Sequence, residues 1–284
     1  MKAILLPTDF SNNSINAIHY AHDLFKGERC KFYLLNIQKA SSYVSDDLMT
    51  LQPTTTIYEN LINNSKKAIE SIVTNVQKKY KTDNHIYRTI VDYDNFIEAI
   101  KQLVATKDIC LIVMGTKGAT GAEKVLFGSN TVKVIQRNDC PVLAIPDNCK
   151  FNDLHKIAFT SNYLTYYKKE ELKPLITLAG KFKSKIDVLH ITKGEHLTEN
   201  QENNRAFLDA CFSNLNHEFI NLANTDLFKT VEDYILYNDI DLLAMMSRKH
   251  SFLERLFTRH NVETFAFKVS IPFLVMPNTG QLIR

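Results

Sequence analysis

Three glycines in this chain are spaced as a phosphate-binding loop requires. Met114-Gly115-Thr116-Lys117-Gly118 is followed by nine residues and then by Gly128-Ser129-Asn130-Thr131. Glycines let the main chain come close to an oxyanion and turn its N–H groups inward as donors. Ser129, Asn130 and Thr131 would open a helix just past the last glycine, where the first N–H groups and the positive helix end favour an anion. The pattern suits binding of a polyphosphate better than cleaving one. Hydrolysis also needs a placed water, a base and neutralisation of transition-state charge. The GxxxxGK[ST] loop is absent, because Gly118 is followed by Ala119. No Ser-His-Asp or Cys-His set can be assembled without inventing proximity.

The surrounding elements must place that loop at the tip of a sheet. Ala3 to Pro7 reads as a buried strand, followed by a helix capped by Asp9 or Ser11 that runs to about Phe25. Phe32 to Ile37 is the next strand, and Ser41 to Thr56 reads as a long polar loop. Helices are expected over Tyr58 to Tyr80, Asp94 to Thr106 and Ser129 to Arg137, and strands over His85 to Val91, Ile109 to Met114 and Pro141 to Ile145. Alternation of strand and helix predicts a parallel sheet covered on both faces and doubly wound by right-handed crossovers. Asp9, Ile37 and Gly115 then fall at the carboxyl ends of strands, where open α/β sheets bind ligands.

After a linker at Asp147 to Leu154 the order restarts. Ile157 to Asn162 answers Ile4 to Asp9, and Lys185 to Ile191 answers Lys31 to Ile37, at offsets of 153 and 154. Asp239 to Met245 answers Asp108 to Met114, and Pro272 answers Pro141, both at an offset of 131. A tandem duplication is the simplest account; chance similarity between two α/β domains is the alternative. The domains are set at residues 1–148 and 153–284. The second copy departs at every diagnostic position: Asn162 stands for Asp9, Met246 for Gly115, Lys249 for Gly118, Arg259 for Gly128 and His260 for Ser129. Side chains there take space that main chain would need to yield to phosphate, and any that required a positive φ would be strained.

Composition narrows the classes. The chain has 284 residues, ample for two domains, and a net charge of +3, which does not point to nucleic acid or to an acidic membrane. Its apolar runs fall short of the ~20 residues that span a bilayer. The first apolar run is too short for a signal peptide core. The five cysteines include no CxxC pair, so neither a disulfide framework nor a zinc site is supported. A reducing cytoplasm is the expected setting.

Pro7-Thr8-Asp9-Phe10-Ser11 after the first strand, together with Gly115-x-x-Gly118-(nine residues)-Gly128-Ser129 after the fourth, resembles the universal stress protein family, in tandem form. The resemblance covers both halves. It implies an α/β fold of two tandem doubly wound domains, each a five-stranded parallel sheet, Rossmann-like and of the adenine-nucleotide alpha-hydrolase-like kind. It also implies ATP binding where the glycine pattern is kept, and dimerisation through the last strand. Carried over position by position, the resemblance places Pro7 and Asp9 beside the adenosine and Ile37 against the adenine. It places Met114 and Gly115 on the ribose side, and Gly118, Gly128, Ser129, Asn130 and Thr131 around the phosphates. Magnesium is expected only with bound triphosphate.

Plainer roles stand beside these. Asp9 could serve only as a cap, Ser129 and Thr131 only as first-turn residues, and Met114 only as core. His19 and His22, three apart on one helix face, have the spacing of metal ligands but no evident third ligand, and read better as a surface or interface pair. The second-half loop carries Arg248, Lys249, His250, Arg255, Arg259 and His260. It is either a solvated loop or a site for an anion or acidic partner; without a repeating aromatic platform, nucleic acid is disfavoured. Three functions follow. The first is a stress-response regulator that binds ATP in its first domain and changes what a protein partner sees. The second is a slow ATPase or autophosphorylating enzyme with Ser129 or Thr131 as acceptor. The third is a scaffold whose basic second domain binds an acidic partner. Val142 to Ile145 and Phe273 to Met276 are edge strands that could pair antiparallel, making an intramolecular pseudo-dimer and leaving a homodimer open.

Overall fold

The computed structural model describes residues 1–38, 54–82, 84–93, 95–117, 127–164, 166–192, 196–223, 226–247 and 270–278. The first half runs β1 (Lys2–Pro7), α1 (Asn12–Leu24), β2 (Cys30–Ile37), α2 (Thr54–Tyr80), β3 (His85–Asp92), α3 (Phe96–Thr106), β4 (Ile109–Gly115), α4 (Ser129–Arg137) and β5 (Val142–Ile145). The second runs β6 (Lys156–Thr160), α5 (Lys169–Phe182), β7 (Lys185–Thr192), α6 (Glu199–Phe212), β8 (His217–Ala223), α7 (Leu227–Tyr237), β9 (Leu242–Ser247) and β10 (Phe273–Pro277). Helix α2 starts at Thr54, four residues before the expected Tyr58, so the end of the supposed polar loop is helical. The rest of that loop, Gly118 and the basic second-half loop lie outside the described residues.

All ten strands join one sheet, ordered β3-β2-β1-β4-β5-β10-β9-β6-β7-β8. Pairing within each half is parallel. At the centre β5 meets β10 antiparallel, with Phe273 opposite Ala144, Leu274 opposite Leu143 and Val275 opposite Val142. Because side chains alternate across a strand, each strand feeds two cores. Ile4, Leu6, Val113, Leu143, Leu274 and Met276 face the layer of α1, α2, α5 and α6. Leu5, Ile112, Met114, Val142, Phe273 and Val275 face α3, α4 and α7. Both cores run unbroken across the β5–β10 seam. The stretch between the halves is anchored to both: the Phe151 ring packs edge-on against Tyr20 of α1 at 5.3 Å and lies 5.7 Å from Phe182 of α5.

Helix starts follow local capping chemistry. Ser11, not Asp9, caps α1, its Oγ accepting from the Ser14 N–H. Asn95 and Asp226 do the same for α3 and α7. Thr198 and Gln201 form a reciprocal capping box on α6.

His22 departs from the sequence expectation of a surface or interface pair. It is 1% exposed. Its ring stacks on Tyr80 at 4.7 Å and on Tyr87 at 5.4 Å, and its Nδ1 lies 3.1 Å from Nδ1 of His85. The signal was non-local, since His85 and Tyr87 come from β3. His19 is tied instead to the Tyr80 hydroxyl, which also donates to Asp23. Burial, with His85, His19 and Lys79 nearby, pushes the His22 pKa down to about 3, and burial lowers that of His85.

Above its unfolded pKa His22 is neutral in both states and stability is unaffected. As pH falls from about 6.5 toward 3, the unfolded chain takes up a proton that the folded chain refuses. Stability is therefore lost on acidification, by up to about 1.4 kcal/mol per pH unit for each such histidine. His22→Phe keeps an aromatic ring and removes the titration. Its urea midpoint should fall less than the parent's between about pH 7 and pH 5; parallel curves would exclude His22 as the source.

Candidate functional site

The strand order puts the topological switch point between β1 and β4. From β1 the chain moves outward to β2 and β3, then returns to the other side of β1 to form β4. Crossovers diverge there, which leaves room for a ligand beyond the strand ends. Pro7 ends β1, Met114 and Gly115 end β4, and Ile37 ends β2 one strand away.

The turn leaving β1 is held tightly. Thr8 N–H donates to Leu35 O at 2.8 Å, and the Asn36 side chain donates to Thr8 O at 2.8 Å. Phe10 sits at φ 65° and its N–H donates to Thr8 Oγ1 at 3.0 Å. Asp9 is exposed, and its Oδ1 accepts from the Ser11 N–H at 3.1 Å and the Ser11 hydroxyl at 2.6 Å. The same turn recurs after β6. Tyr163 sits at φ 55° and donates to Ser161 Oγ at 3.0 Å; Leu164 N–H donates to Asn162 Oδ1 at 3.1 Å; His190 bonds Ser161 O at 3.0 Å. A neutral Asn therefore builds this turn as well as an Asp does.

At β4 the glycine answers a steric demand. A Cβ on Gly115 would lie 2.8 Å from Asn13 Cγ, inside any real contact. Asn13, in the first turn of α1, is buried and donates to Lys117 O at 3.2 Å, while its Oδ1 has no partner among the described residues. Sequence reasoning missed Asn13, because nothing local in Ser11-Asn12-Asn13 distinguishes it from an ordinary helix start. In the second half, α5 begins only at Lys169, and Met246 at the Gly115 position packs in one core with Tyr163, Tyr167 and Met276. The later helix start makes room for the side chain.

The two ends of the glycine loop are stitched together. Thr116 N–H donates to Ile145 O at 2.9 Å, and Gly128 N–H donates to Thr116 O at 2.6 Å. Thr131 is buried, and its hydroxyl donates to Gly115 O at 3.0 Å and Thr116 O at 3.3 Å. That hydroxyl holds the strand tip, so what Thr131 has to offer a ligand is its N–H. Ser129 and Asn130 are exposed. Gly128 caps α4 without a side chain, at φ −65°. Glycine is thus not needed there for positive φ, contrary to the expectation of backbone strain; it leaves the helix start bare. The first N–H groups of α4 lack acceptors within the helix.

Second-half residues brace this site. Phe127, just before Gly128, packs edge-on against Phe273 of β10 with ring centres 5.1 Å apart. Ser247 of β9 donates to Ile135 O at 3.3 Å, near the carboxyl end of α4. Neither contact is visible in the glycine pattern. Among the described residues no group of three or more His, Cys, Asp or Glu side chains could hold a metal ion, and no helix is long and apolar enough to cross a membrane.

The family model described as "Universal stress protein family" matches residues 1–146. A universal stress protein of Methanocaldococcus jannaschii is 28% identical over 144 residues, covering 51% of this chain and 81% of that protein. The universal stress protein YxiE of Bacillus subtilis is 25% identical over 143 residues, covering 50% of this chain and 97% of its own. The crystal structure of a universal stress protein from Archaeoglobus fulgidus superposes with a TM-score of 0.67 at 17% identity, over 96% of this chain and 97% of that one. That likeness shows that the whole two-part architecture is shared.

Gly115→Ala should displace the Asn13 carboxamide and break its bond to Lys117 O, costing about 1 kcal/mol. In an Asn13→Ala background the same substitution should cost almost nothing. Urea denaturation of the four proteins in the double-mutant cycle measures this; equal penalties in both backgrounds would remove the steric account of Gly115.

Proposed function

The chain belongs to the universal stress protein family, and from that premise we propose that its first half binds an adenine nucleotide, ATP by preference, as a regulatory ligand in a stress response. One observation carries this reading: the bare amino end of α4, capped by Gly128 and stitched to the tip of β4, sits where the strand order reverses. Main-chain N–H groups of Ser129, Asn130 and Thr131 would meet the phosphates, with Gly118 and Gly128 admitting close approach. Pro7, Asp9, Ile37, Met114 and Gly115 would meet the nucleoside. Magnesium would enter with the triphosphate, held by phosphate oxygens and several retained waters. The second half would not bind ATP in this way, because Met246 fills the place of Gly115. Autophosphorylation at Thr131 is disfavoured by its placement, because its hydroxyl is spent on the carbonyls of Gly115 and Thr116.

Two substitutions test the site by calorimetry with ATP. Gly128→Arg keeps a backbone angle that any residue adopts and puts a side chain over the helix start. It should abolish measurable binding with little change in the urea midpoint. Asp9→Asn should preserve the turn, as Asn162 does, and weaken binding by about 1.5–3 kcal/mol if the carboxylate accepts from the nucleoside. ATP affinity unaltered by Gly128→Arg would defeat the proposal, and a dissociation constant unmoved by Asp9→Asn would take Asp9 out of the site.

A further inference from the structure

The second half carries a cavity of about 200 Å³ on the α5–α6 side, lined by Tyr166, Tyr167, Asn200, Asn203, Asn204 and Phe207. Asn200, Asn203, Asn204 and Phe207 recur on α6 at i, i+3, i+4 and i+7, one continuous stripe. Three Asn on one helix stripe go against helix propensity, and Phe207 is left 39% exposed. Asn204 has a role in the fold, but the exposed side chains of Asn203 and Phe207 make no hydrogen bond within it among the described residues.

The fold holds the inner part of the lining, while Tyr166, Asn200, Asn203 and Phe207 form its exposed rim. Asn204 is buried, and its Nδ2 donates to Tyr163 O at 2.7 Å, which leaves Oδ1 as the acceptor it offers to the cavity. The Tyr167 hydroxyl is locked to Ser161 Oγ at 2.5 Å, and Tyr166 O accepts from the Asn278 side chain at 3.0 Å. The chemistry of the lining then selects the ligand. No lining side chain is charged, so an ion would pay for desolvation without a counter-charge. A cavity of ~150 Å³ holds benzene, whereas drug-sized ligands need roughly 300 Å³ or more. The volume of this partly open pocket therefore matches a single ring. Aromatic rings offer a face for stacking, and a carboxamide presents a donor and an acceptor side by side.

We infer that the second half holds a binding site, separate from the glycine loop, for a neutral single-ring heterocycle or cyclic amide whose edge carries an adjacent donor and acceptor. The site deepens the asymmetry between the halves: the one with a plugged crevice takes a small uncharged ring. It does not depend on the nucleotide reading of the first half.

The full chain can be titrated with uracil and with nicotinamide by saturation-transfer NMR and calorimetry, with glucose as the hydroxylated, non-planar comparison. At least one heterocycle should bind. Asn203→Ala and Phe207→Ala, both at exposed positions, should each weaken it tenfold or more, and Gly128→Arg should leave it unchanged. Failure of both heterocycles to bind at roughly 10 mM would overturn the inference. So would binding indifferent to Asn203→Ala and Phe207→Ala, binding lost with Gly128→Arg, or binding of glucose alone.

Discussion

The antiparallel pairing of β5 with β10 is the contact on which the rest of the molecule depends. Each strand alone would be a short apolar edge, open to pairing with another chain. Joined, they turn two five-stranded sheets into one and let both apolar layers continue from half to half. Leu143 and Leu274, opposite one another, face one layer, while Ala144 and Phe273 face the other. A one-residue slip in this register would turn every one of those side chains to the wrong layer. The register is therefore specified by burial on both faces at once.

The seam also decides how the glycine loop is supported. Phe127 enters the core of the α4 side beside Phe273, so the residue that delivers the chain to Gly128 is packed against the other half. Thr131 fixes the amino end of α4 to β4, and Ser247 reaches a carbonyl near its carboxyl end. The helix whose bare start would receive phosphate is thus braced by both halves. Residues with no place in the glycine pattern hold both ends of α4, and the half that lacks the pattern supplies part of that support.

Strand and helix order in the first half was legible because each element carries its own period: continuous apolar runs for β1 and β4, which are covered on both faces, and helical spacing for α1 and α3. The register of the repeat was legible too, and the structure deepens it. Positive φ at Phe10 recurs at Tyr163, and positive φ at Asp108 recurs at Asp239. Contacts made across long sequence separations were not legible. His22 looks like an exposed helix residue until β3 brings His85 and Tyr87 against it. Asn13 looks like a neutral first-turn residue until β4 brings Gly115 beneath it. The role of Thr131 was hidden for the same reason: a hydroxyl in a first helical turn suggests ligand contact, and only the folded chain shows that it is spent on the carbonyls of Gly115 and Thr116.

The duplicated turn separates what folding requires from what it does not. After β1 and after β6 the chain makes the same left-handed step, the same bond back to a hydroxyl at the strand end, and the same bond from an i+2 N–H to a side-chain oxygen. Asn162 satisfies the last of these without charge. The carboxylate of Asp9 also accepts from the Ser11 hydroxyl, a bond without a counterpart at Asn162, and an exposed negative charge there would work against phosphate at long range. Such a charge is tolerable if it faces the hydrogen-bond donors of a sugar or base, with the phosphates held farther off at the start of α4. Glycine usage divides in the same way. Gly115 lies against the Asn13 carboxamide whether or not a ligand is present, whereas Gly128 has an ordinary φ, so backbone conformation does not call for glycine there. Asp9 and Gly128 are accordingly the two positions at which nucleotide binding would make a demand that the turn and the backbone angle do not make by themselves.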